Sequence, residues 1–141
     1  KELYDSLFKN PGPYLSVVST LGTKRMGLTR EELISEGNLA NNGQLSRVLL
    51  DLEACGFIRK YTYKGIKRSN AIFQLIDNYT LFYYQFLHNI AGKDEAFWSI
   101  NTNTPVRNTW EGLAFERVCF EHIRQIKQAL GISGVSTQVF S

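Results

Sequence analysis

Between Phe57 and Asn70 the sequence carries Arg59, Lys60, Lys64, Lys67 and Arg68 and no carboxylate. Just upstream, in "QLSRVLLDLEACG", Gln44, Ser46 and Arg47 fall outside an apolar stripe of Leu45, Val48, Leu49, Leu52 and Cys55 at helical spacing. Each group has a definite chemistry. Cations on a ribbon can pair with phosphates, which position a nucleic acid without reading it. An arginine can pair bidentately with guanine and a glutamine with adenine. Arg30, at the start of the preceding helical segment, is a further candidate phosphate contact. The other reading of the same residues is a protein-contact surface whose basic side chains are merely solvated. Asp51 and Glu53 bear on that choice, because negative charge further along the helix opposes a phosphate backbone.

The elements that must present these groups follow from periodicity and turn chemistry. "KELYDSLFKN" has Leu3, Leu7 and Phe8 at helical spacing, and "NPGP" breaks it. Pro13 suits the first turn of a second helix, with Leu15, Val18 and Leu21 on one face. Thr29 and Glu32 have capping-box spacing for a short helix from Arg30 to about Ser35, with Leu33 and Ile34 inward and Gly37 as its stop. Asn42 caps the helix that carries Gln44 and Arg47, and Gly56 suits the left-handed residue past its end. "FIRKYTY" and "AIFQLI" are β-rich runs joined by the polar turn "KGIKRSN". A lone hairpin is marginal, so Phe57, Ile58, Phe73 and Leu75 are expected to pack on the helices. The expected fold is mainly α with a small β-hairpin: a winged helix-turn-helix over residues 1–77.

Residues 78–141 differ in character. Asp77 can cap "NYTLFYYQFLHNI", whose Leu81, Phe82, Tyr84, Phe86 and Leu87 make it apolar on more than one face, as expected of a helix buried between two bodies. Tyr79, Phe82, Tyr83, Tyr84 and Phe86 could stack single-stranded bases, but their helical spacing among leucines points to a packed surface. "AGKDEAFWSINTNTP" reads as a loop broken at Pro105. A long amphipathic helix is predicted from about Asn108 to Leu130, ended by Gly131, with the start of a strand in "ISGVSTQVFS". The opening on Lys1 and that uncapped end predict a piece of a longer chain.

Composition narrows the function classes. The chain of 141 residues is 43% hydrophobic and 21% charged, as a soluble globular protein is. Its net charge of +3 lies wholly in residues 1–77, which hold eleven Lys or Arg against eight Asp or Glu; residues 78–141 hold five of each. No apolar run approaches the about 20 residues that span a bilayer, so no membrane partner is expected. Cys55 and Cys119 read as reduced, buried thiols of a cytoplasmic protein. Glu111 and Glu116 invite an acid/base or metal reading, and Cys119 stands one turn from His122. A zinc site needs about four ligands, and neither set reaches that, so His122 reads as a surface histidine. With no phosphate-cradling glycine loop, GxSxG elbow or HExxH, the chain is not expected to be an enzyme or to hold a cofactor of its own.

The stretches "WEGLAFERVCFEHIRQIKQALGISGVSTQVFS" and "LSRVLLDLEACGFIRKY" resemble the C-terminal region of the archaeal-type AAA ATPases. That family joins a P-loop ATPase to a winged helix and then a PD-(D/E)XK nuclease-like domain. The resemblance implies that residues 1–77 are the winged helix and that 78–141 are a helical linker and the truncated start of the nuclease-like domain. It implies ATP and a divalent cation as cofactors of the intact parent protein, and DNA as partner. Glu116, in "GLAFE", matches the first acidic position of the nuclease-like fold and would be a metal ligand in the intact domain; the aspartate and ExK elements would lie after Ser141. A protein partner, or self-association through the helix from Leu81 to Leu87, is the remaining partner class.

Overall fold

The computed structural model describes residues 2–24, 26–62, 71–88, 96, 99 and 102–136. The chain divides into two compact units, Lys1–Gly92 and Lys93–Ser141.

In the first unit, helix α1 (Glu2–Leu7) leads to α2 (Gly12–Gly22), a two-residue strand β1 (Leu28–Thr29), α3 (Arg30–Gly37), α4 (Gly43–Ala54), and strands β2 (Ile58–Tyr61) and β3 (Ile72–Leu75). Helix α5 (Asn78–Phe82) follows and continues as a π-helical turn over Tyr83–Leu87. The unit is thus mainly helical with a three-stranded antiparallel sheet in the order β1-β3-β2. Ile58 pairs with Leu75 and Tyr61 with Ile72, while Leu28 pairs with Phe73. The predicted hairpin is present, and β1 is an additional strand on its other side. Gly27 makes room for it: its φ is 76°, and a Cβ there would lie 2.5 Å from the Phe73 carbonyl oxygen.

One core joins these elements. Val17, Val18 and Leu21 of α2, Leu33 of α3, Leu45, Val48, Leu49 and Leu52 of α4, and Phe57, Ile58, Phe73 and Leu75 of the sheet region are buried together. Each such side chain contributes about 1.5–3 kcal/mol by leaving water, more than the ~1 kcal/mol of a helix cap. Core burial therefore decides which way α4 faces, and the caps decide where it starts and stops. In α1 the buried residue is Tyr4, and the expected Leu3 and Leu7 are exposed. Tyr4 packs against Phe57, with ring centroids 5.0 Å apart, and its hydroxyl lies 3.3 Å from Thr80 Oγ1 of α5. That contact ties α5 into the first unit.

Local chemistry sets the helix ends. Thr29 Oγ1 accepts from the Glu32 N–H, and the Glu32 carboxylate accepts from the Thr29 N–H at 2.7 Å, the predicted capping box. The Thr29 N–H and hydroxyl together hold the Glu32 carboxyl below its ordinary range. Asn42 accepts from the Leu45 N–H and Asp77 from the Thr80 N–H, as expected. After α4, the Phe57 N–H bonds the Leu52 carbonyl and the Gly56 N–H the Glu53 carbonyl, with Gly56 at φ 77°. This is a Schellman end.

It also corrects the reading of Cys55. The apolar stripe stops at Leu52, the chain reverses at Gly56, and Phe57 takes the next buried place, so Cys55 is exposed. Cys119 is half-buried. Helix α3 runs through Gly37, two residues past its predicted end at about Ser35, and Asn38 takes the left-handed conformation at φ 47°. Gly37 serves a close approach instead: a Cβ there would lie 2.7 Å from Thr20 Oγ1 of α2.

Two expectations for the later helices also change. The α5 region is not buried all round: Thr80 is buried and Leu81 and Tyr84 pack on the core, while Tyr79, Tyr83 and Leu87 are exposed. In the second unit the helix expected from about Asn108 already starts at Pro105, the residue read as the break after the loop. Thr104 accepts from the Arg107 N–H, and proline at the first turn leaves no N–H to cap. Helix α6 (Pro105–Glu121) is separated from α7 (Ile123–Ala129) at His122, whose φ of −102° and ψ of 18° interrupt the predicted continuous helix. Gly131, at φ 70°, ends α7 as expected. Residues 132–136 form turns, and the rest of the expected strand start lies outside the described residues, as does most of the expected loop before Pro105.

Two measurements check this account. Leu52→Ala is expected to cost about 2–5 kcal/mol in urea unfolding and Thr29→Ala about 1 kcal/mol; equal losses would contradict the division of labour between core and caps. The second is alkaline unfolding. Burial pushes the Tyr4 hydroxyl up to about 12 from an ordinary 10.0, so the folded state keeps that proton after the unfolded chain has lost it. Its contribution is complete below pH 10 and is lost as pH rises towards 12. Tyr4→Phe should flatten the decline of stability across that window.

Candidate nucleic-acid interface

With Leu45, Val48, Leu49 and Leu52 turned into the core, the opposite side of α4 must face outward. Gln44, Ser46 and Arg47 are all exposed on its first turns, as the spacing requires. Leu50, one turn beyond Arg47, is 65% exposed on the same side.

Arg30 makes contacts within the fold as well. Its Nε and Nη2 donate to Asn41 Oδ1 at 3.3 and 3.2 Å, and Nη2 donates to the Asn42 carbonyl at 3.1 Å. The guanidinium thereby ties the start of α3 to the start of α4. It braces the turn that aims Gln44 and Arg47.

Arg59 and Lys60 alternate across β2, so they stand on opposite faces of the sheet. Lys60 is opposite Phe73, on the face that carries Ile58 and Leu75, and its Nζ sits 5.8 Å from the Phe73 ring centroid. That distance is within cation–π range, and the ammonium still reaches the exposed rim of the strand. Arg59 is opposite Gln74 on the other face, half-buried. One polyanion strand therefore does not meet both from the same side. Lys64, Lys67 and Arg68 lie outside the described residues.

Sequence reasoning missed the neighbourhood of Arg47. An open groove of about 680 Å³ separates the α1–α2 turn from the start of α4; Phe8, Lys9, Asn10, Tyr14, Gln44 and Arg47 are among the residues lining it. The Phe8 and Tyr14 rings stack with centroids 3.8 Å apart and planes within 8°. The Tyr14 hydroxyl donates to Asp51 Oδ2 at 2.7 Å, and that bond to a carboxylate raises the hydroxyl above its ordinary range. Asp51 therefore has a donor from α2. The available signal was weak: an aromatic pair and a lysine around "FKNPGPY", with nothing in the spacing to say that α4 lies beside them.

In the second unit, Glu116 is half-buried on α6 and Glu111 accepts from Arg107 Nε at 2.7 Å. Cys119 is half-buried, and His122 is exposed at the break between α6 and α7. Among the described residues no group of three or more His, Cys, Asp or Glu side chains could hold a metal ion. Nor is any helix among them long and apolar enough to cross a membrane.

Comparison with known proteins returned no match: no family model, curated protein or solved structure is significantly similar to the chain.

The bracing role of Arg30 can be measured. Arg30→Ala and Arg30→Lys should each lower stability by about 0.5–1.5 kcal/mol, because a single ammonium cannot reproduce the forked contacts. Full rescue by lysine in urea unfolding would argue for a simple charge instead.

Proposed function

We propose that the first unit is a winged helix-turn-helix that docks on duplex DNA, with α4 as its recognition helix and the β2–β3 hairpin as its wing. The observation that carries this reading is the outward face of α4, where Gln44, Ser46 and Arg47 are exposed beside a groove whose described lining includes Lys9 and no carboxylate. The order helix, strand, helix, helix, strand, strand over α2 to β3 supports it, as does the basic bias of residues 57–70. In this reading Gln44, Ser46 and Arg47 meet base edges in the major groove. Lys60, Lys64, Lys67 and Arg68 hold phosphates, and Arg59 serves the other face of the wing. Arg30 acts through the turn that it braces.

On the resemblance to the archaeal-type AAA ATPases, the parent protein would be a P-loop ATPase that uses ATP and a divalent cation. Glu116 would then be one acidic position of a nuclease-like domain. A single carboxylate does not both fix a metal and activate water, so the activity of this chain is binding, with the cytoplasm as its compartment.

A second reading, a protein-contact module, is favoured by Leu50, an exposed apolar side chain in the middle of the outward face. A salt titration separates the two. Binding to a mixed-sequence duplex should weaken linearly on a log–log plot as salt rises, with a slope of about −0.9 per phosphate contact. Replacing Lys64, Lys67 and Arg68 together by alanine should reduce the slope by about 2.7. If affinity and slope survive that change, the wing does not hold phosphates. If the wild-type chain ignores the duplex at low salt, the protein-contact reading replaces DNA docking.

A further inference from the structure

We infer that the groove between the α1–α2 turn and the start of α4 seats one phosphate strand of the duplex, with Lys9 as a phosphate contact. The inference rests on the DNA-docking reading and adds to it a contact remote from the hairpin.

Charge complementarity comes first. Among the described residues that line the groove, Lys9 and Arg47 are the charged ones, both cationic; Arg47 and Gln44 belong to α4 and its base-edge face, and Lys9 and Asn10, from the α1–α2 turn, are left for the phosphate strand. No described residue forms an ion pair with Lys9 or Arg47. The nearest acid along α4 is Asp51, which sits beyond the groove and accepts from Tyr14. The Phe8–Tyr14 stack backs Tyr14, so this donor is held in place. The described lining of the groove is therefore cations, amides and apolar side chains, and Asp51 lies outside it with its carboxylate turned to Tyr14.

The position of the groove favours a nucleic-acid backbone. It opens at the first turns of α4, beside the exposed Gln44 and Arg47. A duplex whose base edges meet those side chains brings its own phosphate strand alongside Lys9. An acidic peptide offers the anion without the base edges.

The test uses the whole chain and a fluorescein-labelled 20-base-pair duplex of mixed sequence, titrated at several salt concentrations. Lys9→Ala should lower the magnitude of the salt slope by about 0.9 and weaken binding about threefold at low salt. Lys24→Ala is the control, since Lys24 pairs with Glu36 at the far end of α2; it should leave the slope unchanged. Thermal unfolding of each variant confirms that it is folded. A Lys9→Ala slope equal to wild type, alongside a lowered slope for the hairpin triple variant, overturns the groove assignment and leaves DNA docking standing. A wild-type chain without salt-dependent duplex binding overturns both. Poly-glutamate that competes with the duplex and is itself lost in Lys9→Ala would assign the groove to an acidic peptide instead.

Discussion

Burial of one face of α4 is the constraint on which the rest of the first unit depends. Leu45, Val48, Leu49 and Leu52 close the core against α2 and the sheet. A helix has two sides, so once these four residues are placed, Gln44, Ser46, Arg47 and Leu50 have nowhere to point but outward. The burial of four such side chains outweighs any single cap or ion pair several-fold. The outward face is thus a by-product of core packing, and it is rigid because the core is.

Polar contacts then refine what the core has placed. Arg30 bonds Asn41 and Asn42 and so ties the start of α4 to the start of α3. Tyr14 engages the one acid that sits among the outward residues of α4 near Arg47. Lys60 lies along the Phe73 ring and covers the rim of the sheet with its stem. The effect of a charge here is set by its partner and its face as much as by its sign. A count of lysines and arginines treats all of them alike.

The sequence resemblance and the comparisons answer different questions. The resemblance rests on two stretches and suggests a parent protein, whereas the comparisons return no match. The candidate interface therefore stands on its own geometry. In the second unit Glu111 pairs with Arg107, and His122 sits where α6 gives way to α7.

Much of the fold is legible in local chemistry. The capping box at Thr29 and Glu32, the caps at Asn42 and Asp77, the reversal at Gly56 and the apolar stripe of α4 each involve residues within a turn or two of one another. Their energetics are settled before the chain folds back on itself, so spacing alone reveals them. Strand β1 was not legible, because two residues acquire strand character only when β3 lies alongside. The exposure of Cys55 was hidden too: the stripe runs through it, and only the choice of Phe57 as the next buried residue excludes it. The groove beside Arg47 brings together residues some forty positions apart, and no period within α4 encodes that neighbour. Sequence by itself determined the elements and the inward face of α4, because these depend on short-range bonding and periodic burial. Tertiary structure decided which charges are spent, which face water and what stands beside them, because those depend on contacts between distant segments that form only when the core closes.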